Sequence, residues 1–311
     1  MRGPGRALAL VAAVAALIFV ACTGGSAEID FSLREDPTPS AEPSEPPDGV
    51  VRIAIASVLS PLPTSNLYQE LAVYLQEKLD RPVELVQGKT YAEINDLVKS
   101  GDVAMALVCT NPYLQGNEDF GMELLAMPQA NGATVYYSFL IAGAGVDAAS
   151  LEDLRGATFA FTDPLSNSGR LAPVYQLALT GETPDSFFSR SIFTYAHDSS
   201  VLAVAEGVVD AAAVDSLVFE YMLAEDPTLA GRVNVIERWG PYGINPIVVN
   251  PRLDPEMKGL LRDMLLGMDE DPAGRQVLKD IRIDRFITPD DSIYDSVREM
   301  RSYLRERGLG P

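Results

Sequence analysis

The strongest constraint on this chain is a strand–helix alternation that begins at residue 50, lapses near 142 and begins again at 150. Val50-Val51-Arg52-Ile53-Ala54-Ile55-Ala56 is a short apolar run suited to a strand covered on both faces. A helix is expected over 65–79, where Leu67, Leu71, Leu75 and Leu79 fall four apart on one face. A strand over 83–86, a short helix over 91–99 stopped by Ser100-Gly101, and a strand over 103–109 complete the first set. This order specifies an α/β lobe with a parallel sheet.

The second set repeats the logic. Strands are expected over 157–161, 191–196 and 208–214, with helices over 169–179 and 199–206 between them. The two sets share a local phrase, Gly101-Asp102-Val103-Ala104 beside Gly207-Val208-Val209-Asp210, in which a helix ends at glycine and a strand of small residues follows. Extended stretches over 134–142 and 244–249 flank the second set, and helices over 255–268, 272–281 and 292–306 close the chain. The economical topology is two lobes: 50–142 with 246–311, and 143–245. Two crossing strands form a hinge, the C-terminal helices pack on lobe one, and the cleft between lobes is the default ligand site.

The N-terminus is read separately. Arg2 and Arg6 precede an apolar and small-residue run from Ala7 to Ala21, and Cys22 follows. Charge, apolar run and small-residue exit make an export signal over 1–21, too short and too early for a permanent span. Ala21-Cys22 resembles the bacterial lipobox, which implies cleavage before Cys22 and acylation there; Phe19 departs from the usual leucine. Residues 22–49 carry Pro37, Pro39, Pro43, Pro46 and Pro47 among polar and acidic residues, the composition of an extended tether.

A net charge of −20 with no basic run excludes nucleic acid as a partner. It does not exclude an anionic ligand, because neutral donors and helix N-termini hold anions against the net field. Cys109 is the only cysteine besides Cys22, so once Cys22 is acylated no intramolecular disulfide can form. With one histidine and no Cys/His cluster, neither a metal site nor a cofactor is expected.

One phrase carries chemistry. Phe161-Thr162-Asp163-Pro164-Leu165-Ser166-Asn167-Ser168-Gly169 leaves a strand and opens a helix. It offers hydroxyls, an amide and free backbone N–H groups at a positive helix end, which suits an anion. Ser, Asn and Asp are also the best helix caps, so an ordinary capped helix start reads equally well. His197 follows the strand 191–196 at the same edge of the lobe, as a ligand donor or as a surface or capping residue.

This run, with Ala196-His197-Asp198, Gly88-Lys89-Thr90-Tyr91 and Tyr136-Tyr137-Ser138, resembles the phosphonate/phosphite/phosphate-binding subunits of ABC importers, the PhnD-like family, over about residues 50 to 300. The resemblance implies a type II periplasmic-binding-protein fold and a monomer that passes a small oxyanion to an ABC permease. It also implies ligand contacts from Tyr91, Tyr136, Ser166, Asn167, Ser168 and His197, with Asn167 in place of the usual threonine. Family members that grip aminoalkylphosphonates place carboxylates at positions that align here with Leu217 and Asn245, with Asp215 close by. Asn245 is therefore expected to line the site without pairing an amine, and a simpler oxyanion is expected.

Other classes fit less well. No Gly-x-Ser-x-Gly elbow surrounds Ser166 or Ser168, and no acid is placed to orient His197, so an enzyme is not expected. A receptor accessory would share the same lobes, and a sulfonate or a thiamine-precursor pyrimidine would be the alternative solute.

Overall fold

A computed structural model of the protein describes residues 49–310; the expected leader, Cys22 and nearly all of the tether lie outside the described residues. The first lobe opens with β1 (Val51–Ile55), α1 (Pro61–Leu79), β2 (Val83–Gln87), α2 (Tyr91–Ser100), β3 (Met105–Leu107), α3 (Thr110–Phe120) and β4 (Glu123–Gln129). The second contains β5 (Val135–Gly143), β6 (Thr158–Phe161) and one π-helical turn, Asn167–Leu171, that runs into α4 (Ala172–Leu179). It continues through α5 (Pro184–Phe187), β7 (Arg190–Phe193), α6 (His197–Ala205), β8 (Ala211–Asp215), α7 (Ser216–Glu225) and β9 (Val233–Gly243). The chain then adds β10 (Ile247–Val249), α8 (Pro255–Leu266), α9 (Pro272–Asp280), β11 (Arg285–Ile287) and α10 (Asp295–Glu306).

The strands form a six-stranded sheet, β11-β4-β10-β3-β1-β2, and a five-stranded sheet, β7-β6-β8-β5-β9. Both are mixed, where the residue pattern predicts parallel sheets. β1 pairs in parallel with β2 and β3, and β6 with β7 and β8. β10, β4 and β11 are antiparallel to their neighbours, as are β5 and β9. The cause is the return path. β10 starts at the edge where β1 and β3 end, because the chain re-enters the first sheet from the second lobe, so β10 runs against them.

The expected crossing strand 134–142 lies inside the second sheet, paired with both β8 and β9 from Val135 onward. The passage between sheets is the tight turn before it. Ala130 and Ala133 exchange backbone bonds of 2.9 and 3.0 Å around Asn131 and Gly132, both with positive φ. The return passage lies between Gly243 and Ile247, and the two passages touch, since Ile244 N–H donates to Thr134 O at 3.0 Å.

The apolar stripe of α1 buries Leu71 and Leu75 against Ile53, Ile55, Leu261 and Leu265. Each such side chain contributes roughly 1.5–3 kcal/mol. A second cluster is continuous across both lobes, joining Tyr91, Val98 and Val108 to Phe159, Leu171 and Leu177. α8 and α9 pack on lobe one. α10 does not stay there: its buried face, Val297, Met300 and Leu304, sits in the shared cluster. Its Tyr303 ring lies 5.2 Å from that of Tyr175 in α4.

Candidate oxyanion site between the lobes

The two lobes are pressed together, and polar bonds cross between them. Ser60 N–H donates to Asp198 Oδ1 at 2.9 Å, Tyr91 N–H to Asp163 Oδ2 at 3.1 Å, and His197 N–H to Val58 O at 3.0 Å. Asn111 Nδ2 donates to Leu165 O at 2.9 Å. These groups belong to segments that follow β1, β2, β3, β6 and β7, at the C-terminal edges where α/β lobes present their free helix N-termini.

The loop after β6 is held from inside. Ser166 caps the wide turn by accepting from Gly169 N–H at 3.0 Å, and Thr162 N–H returns to Gly169 O at 3.1 Å. A glycine is required at 169 by close approach: a Cβ there would lie 2.2 Å from Thr162 Oγ1 and 3.1 Å from His197 Cε1. Ser138 of β5 fixes the turn from below, donating to Ser168 O at 2.7 Å. Ser166, Asn167 and Ser168 are all fully buried.

His197 stands behind this turn. Its Nδ1 accepts from Asp215 N–H at 3.0 Å and lies 3.2 Å from Thr162 Oγ1, so the ring proton sits on Nε2, which faces Ser166 Oγ at 3.4 Å. Burial lowers its pKa to about 3, so the ring is neutral at physiological pH. In this geometry His197 supports Ser166 rather than presenting a charge.

Tyr91 of lobe one and Tyr136 of β5, in lobe two, stand beside the turn. Lys89 N–H donates to Glu93 Oε2 at 2.6 Å and Glu93 N–H to Thr90 Oγ1 at 3.2 Å. The Thr90 cap starts α2 and delivers Tyr91 to the interior. Tyr136 Oη accepts from Asn167 Nδ2 at 2.9 Å and also meets the Thr110 side chain. Burial above all raises both phenols well above the ordinary range, and both remain neutral donors.

Three buried polar atoms here have no partner: Tyr91 Oη, Ser168 Oγ and Asn167 Oδ1. A buried unpaired polar group costs roughly 1–3 kcal/mol and calls for an explanation. Two of them, Asn167 Oδ1 and Ser168 Oγ, lie in the wide turn that opens α4, and Asn167 bonds Tyr136 at the same interlobe seam, which makes this a candidate cradle for a small polar ligand. None of its side chains is cationic. Its free donors are the hydroxyls of Tyr91 and Ser168 at a positive helix end, which suit an oxyanion, while Asn167 Oδ1 is an acceptor that can meet only a protonated ligand oxygen.

A family model described as ABC transporter, phosphonate, periplasmic substrate-binding protein matches residues 53–294. The chain belongs to that family. The phosphate-import protein PhnD of Mycolicibacterium smegmatis is 28% identical over 270 residues, covering 83% of this chain and 80% of that protein. A binding-protein component of an ABC phosphonate transporter from Pseudomonas aeruginosa superposes with a TM-score of 0.79 at 25% identity, over 84% of this chain and 88% of that one. PhnD1 from Prochlorococcus marinus, solved in complex with methylphosphonate, shares the fold with a TM-score of 0.75 at 19% identity, over 84% and 99% of the two chains. The type II binding-protein architecture and an extracytoplasmic role as a substrate-binding component, not an enzyme, follow from this membership.

Seen as a phosphonate-family binding protein, the chain carries a second feature beside the cradle. A cavity of about 430 Å³ opens between the lobes, lined by Tyr68, Leu217, Tyr221 and Ile283 among others. Asp215 and Asn245 stand in its wall. Asn245 does not join the cradle cluster; its Oδ1 accepts from Thr110 N–H at 3.3 Å at the start of α3. Asp215 is buried, and burial raises its pKa to about 7 against the N–H groups of Leu217 and Val218 that it caps.

Cys109, Thr110 and Asp215 are structural neighbours of the cradle that the motifs did not name as ligand contacts. A signal existed for the first two. Cys109-Thr110 ends a strand and opens a helix in lobe one just as Ser166-Asn167 does in lobe two.

Proposed function

We propose that the chain captures a small phosphorus oxyanion, of the phosphonate, phosphite or phosphate class, in the cradle of Tyr91, Tyr136, Ser166, Asn167 and Ser168. It then passes the ligand to the permease of an ABC importer. The observation that supports this is that the hydroxyls of Tyr91 and Ser168 are buried without a partner at the interlobe seam, where Asn167 bonds Tyr136. His197 acts as a neutral positioning residue for Ser166, and Asn245 holds the start of α3 rather than the ligand. The passages at 130–134 and 243–247 serve as the hinge, and interlobe bonds such as Ser60 to Asp198 hold the closed state. Acylation at Cys22, read from Ala21-Cys22, anchors the protein to the membrane with 23–49 as its spacer.

Calorimetric titration with methylphosphonate, phosphite and phosphate tests the cradle. A hydrogen bond to a charged group contributes about 1.5–3 kcal/mol. Ser168→Ala should therefore bind about tenfold to a hundredfold more weakly, with an unchanged circular dichroism spectrum. A wild-type protein that binds none of the three, or a Ser168→Ala variant that binds as tightly as wild type, would overturn the assignment.

A further inference from the structure

Asn111 and Glu118 lie two turns apart on one face of α3, and Arg301 of α10 spans them. Its guanidinium donates through Nη1 to Asn111 Oδ1 and through Nη2 to Glu118 Oε2, the latter at 2.9 Å. Arg305, one turn further along α10, donates to the same carboxylate oxygen at 2.9 Å. The other end of the Asn111 amide faces lobe two, where Nδ2 donates to Leu165 O at 2.9 Å. That carbonyl shares its peptide with the Ser166 N–H, which donates to Asp163 O at 2.9 Å. The peptide that leads into the cradle turn is therefore held by its own loop on one side and by lobe one on the other. Arg301 and Asn111 are both fully buried. A buried arginine is a poor stabilising device, because desolvation offsets what its ion pair contributes, and here Nε is buried without a partner as well. What the arrangement supplies is direction. A guanidinium has only donors, so it must meet Oδ1, and Nδ2 is left aimed at a carbonyl that can only accept.

We propose that Arg301 is a positioning residue for ligand retention: it fixes the Asn111 amide so that lobe one grips the Leu165–Ser166 peptide when the lobes close over the cradle. This rests on the oxyanion assignment and the hinge reading above. The Asn111–Leu165 bond joins the lobes, so it exists only when they meet. The bonds of Arg301 run from α10 to α3, on one side of the hinge, and persist when it opens. Without that partner the Asn111 amide would turn freely in an open cleft. Closing would then have to immobilise it, which corresponds to about three- to tenfold in affinity. The bond forms after the ligand has entered. Arg301 therefore slows release and leaves the association rate unchanged.

The test is a double-mutant cycle of Arg301→Lys and Asn111→Ala, with methylphosphonate, phosphite and phosphate as probes. Calorimetry gives affinity, stopped-flow fluorescence gives the two rates, and thermal unfolding verifies that each variant is folded. Lysine keeps the charge but not the fork that reaches two acceptors at once. Arg301→Lys should bind about three- to tenfold more weakly, with faster release and an unchanged association rate. Asn111→Ala, which leaves Glu118 to pair the arginine, should bind about tenfold more weakly. The double variant should bind as Asn111→Ala does, because an arginine that acts through Asn111 then has nothing to position. If the lysine variant does not fold, Arg301→Met takes its place in the cycle, with Glu118 still paired to Arg305. Losses that multiply in the double variant, a loss that lies in association, or single variants that bind as tightly as wild type overturn the role of Arg301 and leave the cradle standing. Wild type that binds none of the three probes removes the oxyanion assignment itself, and this role with it.

Discussion

His197 and Asp215 give the fold two buried titrations of opposite sign, and Asp215→Asn separates them. Burial lowers His197 from 6.5 to about 3. Between those values the unfolded chain holds the extra proton, so this contribution is full above 6.5 and is lost as pH falls toward 3. Burial, with a smaller push from Glu220, raises Asp215 from 3.8 to about 7. There the folded chain holds the extra proton, so the contribution is full below 3.8 and is lost as pH rises through 7. Each slope is about 1.4 kcal/mol per pH unit, and from about pH 4 to 6.5 they oppose and cancel. Asparagine caps a helix as well as aspartate and leaves the backbone N–H that serves His197 in place. The stability difference, variant minus wild type, should grow steadily from about pH 4 and level off near pH 7 at about 4 kcal/mol in favour of the variant. Taking the difference cancels the surface carboxylates common to both proteins. Urea unfolding at half-unit pH intervals measures it. A difference that is flat with pH, or a variant less stable than wild type at pH 8, would refute the assignment of Asp215 as a destabilised buried acid.

Gly169→Ala should destabilise the fold by about 1–3 kcal/mol through overpacking against Thr162 and His197 and should weaken ligand binding, read by thermal unfolding and titration. Asp198→Ala removes the acceptor of two Ser60 bonds that cross the lobes. It should lower apparent affinity without touching the cradle, and small-angle scattering of the liganded variant should show a larger open fraction than wild type. Cys22→Ser should release the protein from membranes or block its maturation, and unchanged acyl labelling would end the lipoprotein reading.

The strands and helices with the cleanest periodicity were legible from the chain. β1 is apolar at nearly every position because both its faces are covered, and α1 carries a four-residue leucine stripe because only one face is. The Ser166–Gly169 phrase was legible as a capped turn at a sheet edge, and its closeness to His197 followed from strand order. α3 and α7 were not legible as helices. Thr110-Asn111-Pro112 looks like loop chemistry, and Ser216–Glu225 has almost no amphipathic contrast. The mixed direction of the sheets was hidden as well, because a short apolar strand such as Ile247-Val248-Val249 reads the same in either direction. The cradle's depth was the least accessible property. Nothing in Tyr91 or Cys109 as residues says that they are buried against the other lobe; that follows only once Tyr91 N–H is seen to bond Asp163 across the cleft.

The proposed neutral cradle would also explain how a chain of net charge −20 can serve an anion and let it go. The acidic surface acts over a Debye length of about 8 Å at physiological ionic strength, so a ligand inside the cleft is largely screened from it. What the ligand of the proposed cradle would meet is local: neutral phenols and hydroxyls at the opening of a helix. A buried arginine or lysine would bind more strongly, but on release it would be left as an unpaired charge, a state that is costly until the cleft is fully hydrated. Neutral donors carry no such penalty. In the proposed cradle the Tyr91 and Ser168 hydroxyls would exchange the ligand's oxygens for water at little net cost when the lobes separate, because each hydrogen bond lost is replaced by one of similar strength. Affinity in such a site depends on closure rather than on charge, and a permease that pries the lobes apart thereby controls release.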